Sequence, residues 1–257
     1  MNRLKTMLRV DFRRMFTQPL LYIMVGCCLV MPILILVMTT MMDGTVSVDP
    51  QTGVETVMKG FDNVWQIIGS VSAGEQTMAM DMTAMCNINL LYFIVSVLVC
   101  LFVSEDFRAG FSKNLFTVRA KKSDYVFSKT VVCFVGGALM ILAFFVGSFA
   151  GGAIAGLPFK MTGFHAGNLV MCLAAKILLM AVFVSIFLTM AVIAKGKAWL
   201  SILLSMMVGM FMFMMIPMMT PLDATAVHVL GCAAGGVMFA FGLGAVSNQI
   251  LKKTSLV

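Results

Sequence analysis

Residues 20–42 read LLYIMVGCCLVMPILILVMTTMM, and the interpretation of this uncharged stretch decides the fold. As a helix rising about 1.5 Å per residue it would be about 34 Å long, enough to cross a hydrocarbon core of about 30 Å. The run exceeds the ~7–15 residues of a signal-peptide core, and no small-residue cleavage site follows it. It therefore reads as a permanent span. Pro32 falls inside it and should kink the helix, a break that neighbouring helices in a membrane tolerate.

Working outward, five more apolar stretches recur at 85–104, 126–153, 170–194, 198–219 and 224–247. The chain is 61% hydrophobic and 11% charged, with mean hydropathy +1.02. A soluble fold of 257 residues has too little interior to hide so much apolar side chain. Ahead of the first span, residues 1–17 place Leu4, Met7, Leu8, Phe12, Met15 and Phe16 on one helical face. Arg3, Lys5, Arg9, Arg13 and Arg14 occupy the rest. Such a helix is expected to lie in the headgroup plane with its bases towards anionic lipid. Pro19 then turns the chain inward.

Residues 43–84 differ in kind, holding Asp43, Asp49, Glu55, Asp62, Glu75 and Asp81 against the single base Lys59. Val57, Phe61, Val64, Trp65 and Ile68 fit one helical face, which predicts a surface helix in an acidic outer loop, with Trp65 as an interface anchor. Most of the lysines and arginines lie in 1–17, 105–129, 195–197 and 252–253, which share one side if six helices are threaded. The positive-inside rule then puts both ends in the cytoplasm. The expected fold is an all-α membrane protein: six transmembrane helices behind an in-plane amphipathic helix, N-in and C-in, in one transmembrane domain spanning 1–257. The net charge of +7 sits in patches flanking spans, so nucleic acid is set aside as a partner and membrane lipids are expected.

Several chemistries are absent from the sequence. There is no GxxxxGK[ST] phosphate loop; Gly196-Lys197 lacks the upstream glycine and the following hydroxyl residue. There is no HExxH and no CxxC pair, and His165 and His228 lack acidic partners in register, so neither a metal site nor a catalytic site is expected. No cofactor is assigned to this chain.

The segment 104–129, SEDFRAGFSKNLFTVRAKKSDYVFSK, joins the second and third spans. Its plain reading is a solvated loop with snorkelling bases. The sharper reading is a lever: a charged end to the span at Glu105, Asp106 and Arg108, a break at Gly110, a short helix, and re-entry at Tyr125 and Lys129. A short charged helix between two spans is well placed to take force from a soluble partner.

This layout resembles that of an ABC-2 type transporter permease. Members show a glutamate, a glycine, a small residue, a basic pair, a tyrosine and a lysine in this connection. Glu105, Gly110, Thr117, Arg119, Tyr125 and Lys129 stand at matching positions. The usual proline before the basic residues is replaced by Val118, which points to a divergent subgroup. The resemblance implies a half-transporter that pairs with a second permease copy or a paralogue and docks cytoplasmic ABC ATPase subunits, which hold the ATP and Mg2+. It implies that 1–17 is an elbow helix and that 106–124 is the coupling helix within 105–125. Glu105, Asp106, Arg108, Gly110, Lys113, Arg119, Lys121, Lys122 and Tyr125 would then form the ATPase-coupling interface. Bacterial peptide and bacteriocin exporters look closest, which favours an amphipathic peptide moved outward across the plasma membrane.

Inside the membrane, Lys176 is the one lysine or arginine well within a predicted span, Lys129 standing three residues from the start of its own. A lysine at mid-bilayer costs about 2.5–3.5 kcal/mol on insertion scales, which marks function. A span starting later would instead let it snorkel to the outer interface, and this is the preferred reading. Asn87 and Asn89 line a cavity or bond between helices. Methionines crowd 206–219; Met210 and Met214 are the candidates for a soft path suited to amphipathic cargo, against ordinary packing. The outer Met78, Met80, Met82 and Met85 would suit copper(I), a reading disfavoured by the abundance of methionine throughout. Glycine pairs at 147/151, 152/156 and 231/235 permit close helix contact. Two further classes stay open beside the permease: a non-transporting scaffold or immunity protein, and a membrane enzyme or cofactor carrier.

Overall fold

The computed structural model describes residues 2–48, 55–57, 59–71, 86–111, 121–213 and 215–253. Its architecture is helical. Helix α1 covers Asn2–Thr17 and α2 Pro19–Met42, separated by Gln18 in an extended conformation, with Pro19 opening α2 where its missing N–H has no helical partner to lose. A small antiparallel hairpin follows, β1 (Val46–Val48) against β2 (Glu55–Val57), with Val46 opposite Val57. Then come α3 (Leu91–Arg108), α4 (Lys122–Ala155), α5 (Ala166–Ile193), α6 (Ala198–Phe213), the short α7 (Met215–Met219) and α8 (Ala226–Lys253).

Among the described residues five helical segments are long and apolar enough to cross a bilayer: Pro19–Met42, Ile88–Arg108, Lys122–Ala155, Ala166–Ile193 and Ala226–Lys253. The described residues of the expected span at 198–219 are helical over Ala198–Phe213 and again over Met215–Met219, and residue 214 between them lies outside the described residues.

Other boundaries shift for local reasons. The Asn87 side chain accepts from the Asn89 backbone N–H at 3.0 Å and caps a 3-10 turn at Ile88–Leu90 ahead of α3. Helix α4 reaches 34 residues because nothing stops it until Gly156, whose φ of +68° suits a residue without a side chain. Helix α8 continues through Lys252 and Lys253, where a tail was expected.

The surface helix expected in 43–84 is not present among the described residues. Val57 lies in a strand, and the helical part of the segment is a single 3-10 turn, Val64–Ile67, capped by Asn63 and Gln66. Nor is Trp65 an interface anchor. It is buried, with Phe149, Phe159 and Phe164 edge-on at 5.4, 5.9 and 6.2 Å. Of the apolar residues that looked like one helix face, Phe61, Val64, Trp65 and Ile68 instead plug the end of the bundle, while Val57 is exposed. The outer methionines 78, 80, 82 and 85 lie outside the described residues.

Helix α2 packs along α4, and α8 along α5. The α2–α4 contact depends on glycine: a β-carbon on Gly147 would collide with the Leu29 carbonyl, and one on Gly151 would lie 2.8 Å from the Ile33 Cα. Gly231 on α8 faces open space. At one end of the bundle, Lys122 Nζ donates to the Leu251 carbonyl at 2.6 Å, and the 195–197 joint abuts Phe107 through Gly196. At the other end, Leu222 N donates to the Ser70 carbonyl at 2.8 Å and Asn168 Nδ2 to the Ala224 carbonyl at 3.2 Å.

Candidate functional site

The first end of the bundle contains a buried cluster of charge. Asp11, on the inward face of α1, is 1% exposed, and Asp106 of α3 and Lys129 of α4 are 0% exposed. Lys129 Nζ lies 2.6 Å from Asp106 Oδ2 and 2.9 Å from Asp11 Oδ1. Arg14 Nη1 lies 2.6 Å from Asp106 Oδ1, a charge contact not aligned as a hydrogen bond. Ser128 donates to Asp11 Oδ2 at 2.6 Å and the Tyr125 hydroxyl to Asp106 Oδ2 at 3.0 Å. Two acids meet two bases, so the formal charge cancels. The ring of Phe102 faces Lys129 at 4.0 Å and that of Phe111 faces Arg14 at 4.4 Å, supplying further attraction to the cations. A buried ion pair adds little net stability over an apolar core, but removing one member is costly because the other is stranded. Such a cluster therefore fixes the relative positions of α1, α3 and α4.

The cluster corrects two expectations. Helix α1 does not turn all its bases outward: Arg14 reaches into the protein, while Arg3, Lys5, Arg9 and Arg13 are exposed. Acid and base groups do face one another inside this chain, although the sequence suggested no such pair. Asp11 carried the overlooked signal. It is the lone acid of a basic helix and lies four residues from both Met7 and Met15, on the apolar stripe.

The residues proposed for coupling fall into three groups. Asp106 and Tyr125 are inside the cluster. Glu105 is exposed and accepts from Gln18 Nε2 at 2.6 Å. Arg108 and Lys121 are exposed, Lys122 holds the end of α8, and Gly110 takes φ +71° where the helix ends. Lys113 and Arg119 lie outside the described residues, as does the 112–120 part of the expected coupling helix. A cavity lined by Leu101, Ser104, Glu105, Arg108, Ala109 and Ala198 adjoins this region.

The proposed path residues separate. Lys176 does not extend to solvent: it is 0% exposed, donating to Asn89 Oδ1 at 3.1 Å and Thr220 Oγ1 at 2.9 Å. Those partners belong to the 3-10 turn ahead of α3 and to the connector after α7, so the side chain ties α5 to that end of the bundle. Asn87 is a cap. Met210 is 72% exposed on the outer face of α6, away from Lys176, and Met214 lies outside the described residues. Among the described residues no three His, Cys, Asp or Glu side chains converge on a point that could hold a metal ion.

Residues 8–213 match the family model described as ABC-2 family transporter protein. The chain belongs to the ABC-2 transporter family. No curated protein and no solved structure matches it. ABC-2 membership, with several long apolar helices, makes this a multi-pass membrane protein, the transport component of its system and not itself a catalyst. The ABC-2 family works with ATPase partner subunits in general. In this ABC-2 protein the matched region takes in all four charged residues of the cluster.

Proposed function

We propose that this chain is the permease subunit of an ATP-binding-cassette exporter, and that the buried charge cluster carries force from a partner ATPase into the bundle. The supporting observation is where the cluster sits. The expected coupling segment has two stems, one ending at Asp106 and one beginning at Tyr125 and Lys129, and the same carboxylate binds both. Arg14 and Asp11 add α1 to the same group. A push on the segment between those stems is thus shared by three helices at once, as a two-state element biased by a partner requires.

On this reading, α6 and α7 together make the sixth crossing, since the chain from Ala198 leads from the end that holds Lys122 and Leu251 to the end that holds Ser70 and Leu222. Both termini then face the cytoplasm, ATP and Mg2+ are held and hydrolysed on the partner, and a second permease copy or paralogue completes the path in a bacterial plasma membrane. An amphipathic peptide is the favoured cargo.

The test is co-expression with a Walker-motif ATPase, recovery of the complex, and transport in inverted vesicles. Charge reversal at Glu105 or Arg119, or Tyr125→Phe, should leave the protein inserted and the ATPase active while export falls at least about tenfold, the equivalent of about 1.4 kcal/mol of lost coupling. Unchanged export in all three variants rejects the lever. A chain that recovers no ATPase is a scaffold or immunity protein, and a chromophore in the purified protein would mark a cofactor carrier.

A further inference from the structure

Lys176 presents a problem that the permease reading leaves unsolved. Its ammonium is fully enclosed, yet both its partners, the Asn89 amide oxygen and the Thr220 hydroxyl, are neutral. No carboxylate forms an ion pair with it among the described residues; Asp223, the acid of the same connector, does not do so. This contrasts with Lys129, which has two carboxylates. An ammonium withdrawn from water needs a counter-charge, because neutral dipoles recover only part of its lost hydration.

The surroundings are those of an anion site. Thr220 and Asn89 accept from the lysine in this arrangement, but a hydroxyl and a carboxamide can each rotate to donate. The Tyr92 hydroxyl donates to the Lys176 carbonyl at 2.8 Å and holds that turn of α5 in place, with its ring 4.6 Å from that of Phe183. Thr220 belongs to the short connector between α7 and α8, so exchanging its oxygen for that of a ligand requires moving the connector and not a long helix. Cys172, one helical turn before Lys176, reaches the Thr220 carbonyl, and Phe183 packs against Tyr92, so the side chains behind the polar groups are weakly polar or apolar.

We propose that Lys176, Asn89 and Thr220 bind the anionic head group of an amphiphile, a carboxylate or a phosphate. As a statement about cargo this rests on the permease reading. The binding itself does not, and it is measured without ATPase or nucleotide.

Full-length protein in a neutral maltoside detergent is titrated with dodecanoate and, separately, dodecanol, following the unfolding midpoint. Dodecanoate should raise the midpoint beyond the effect of the alcohol. Lys176→Met removes the cation, and Asn89→Asp supplies an internal carboxylate close to the ammonium. Both should weaken dodecanoate binding on the order of 30-fold or more. Asn89→Asp should also raise the ligand-free midpoint, so the test survives if Lys176→Met does not fold. Competition by phosphatidylglycerol identifies a lipid phosphate as the natural head group, and its failure to compete identifies a carboxylate. Equal effects of acid and alcohol on the wild type, or a dodecanoate preference retained in Asn89→Asp, overturns the proposal.

Discussion

Three residues show what one-dimensional reading reaches and where it stops. Lys176 was visible as the base deepest in a predicted span, but its surroundings were not, because Asn89 and Thr220 come from positions 87 and 44 residues away. Asp11 was legible only as an acid on an apolar stripe. Its partner Lys129 is 118 positions away, beyond any helical spacing rule. Lys129 itself stood in the resemblance motif with no indication that it would be buried. The cluster predicts a definite energetic pattern. Lys129→Met takes from the buried Asp11 its lysine partner and leaves Asp106 with Arg14, and should destabilise by about 3–5 kcal/mol. Asp11→Asn should also destabilise. The double variant retains the Arg14–Asp106 pair, so its loss should fall short of the two single losses combined. Unfolding of all four proteins in detergent checks this, and strictly additive losses would mean that the two side chains do not interact.

At the scale of elements, helix existence was readable throughout, because apolar runs of span length have few alternatives in lipid. The failure is informative. Residues 57–68 mimicked a helix face, but from Phe61 onward their apolar spacing serves a different purpose, filling the end of the bundle around Trp65. The glycines separate by environment and not by motif. Gly147→Ala forces α2 away from α4 and should cost about 1–3 kcal/mol, the usual range for overpacking. Gly231→Ala meets nothing and should be neutral or stabilising by up to about 1 kcal/mol, from helix propensity alone. Thermal midpoints of the two alanine variants should therefore move in different directions or by clearly different amounts.

For the whole molecule, the exposed bases Arg3, Arg9, Arg13, Lys195, Lys197, Lys252 and Lys253 belong to segments at the end of the bundle that holds the charge cluster. This matches the charge bias read from the sequence, and it predicts topology: reporters fused at the two ends should both report the cytoplasm, while a probe at Thr45 should be labelled by a membrane-impermeant reagent in intact cells. Opposite locations for the two ends would remove the proposed ATPase contact. The bond from Lys122 to the Leu251 carbonyl spans 129 positions, and this separation has a consequence for biogenesis. During synthesis the α4 stem is made well before its hydrogen-bond acceptor exists. That bond cannot form until the last turn of α8 has left the ribosome. A nascent chain stalled earlier would insert its spans with the stem held to Asp106 and Asp11 but without this tie to α8, so quality control that probes the Lys122 contact would distinguish a chain that has completed α8 from one that has not.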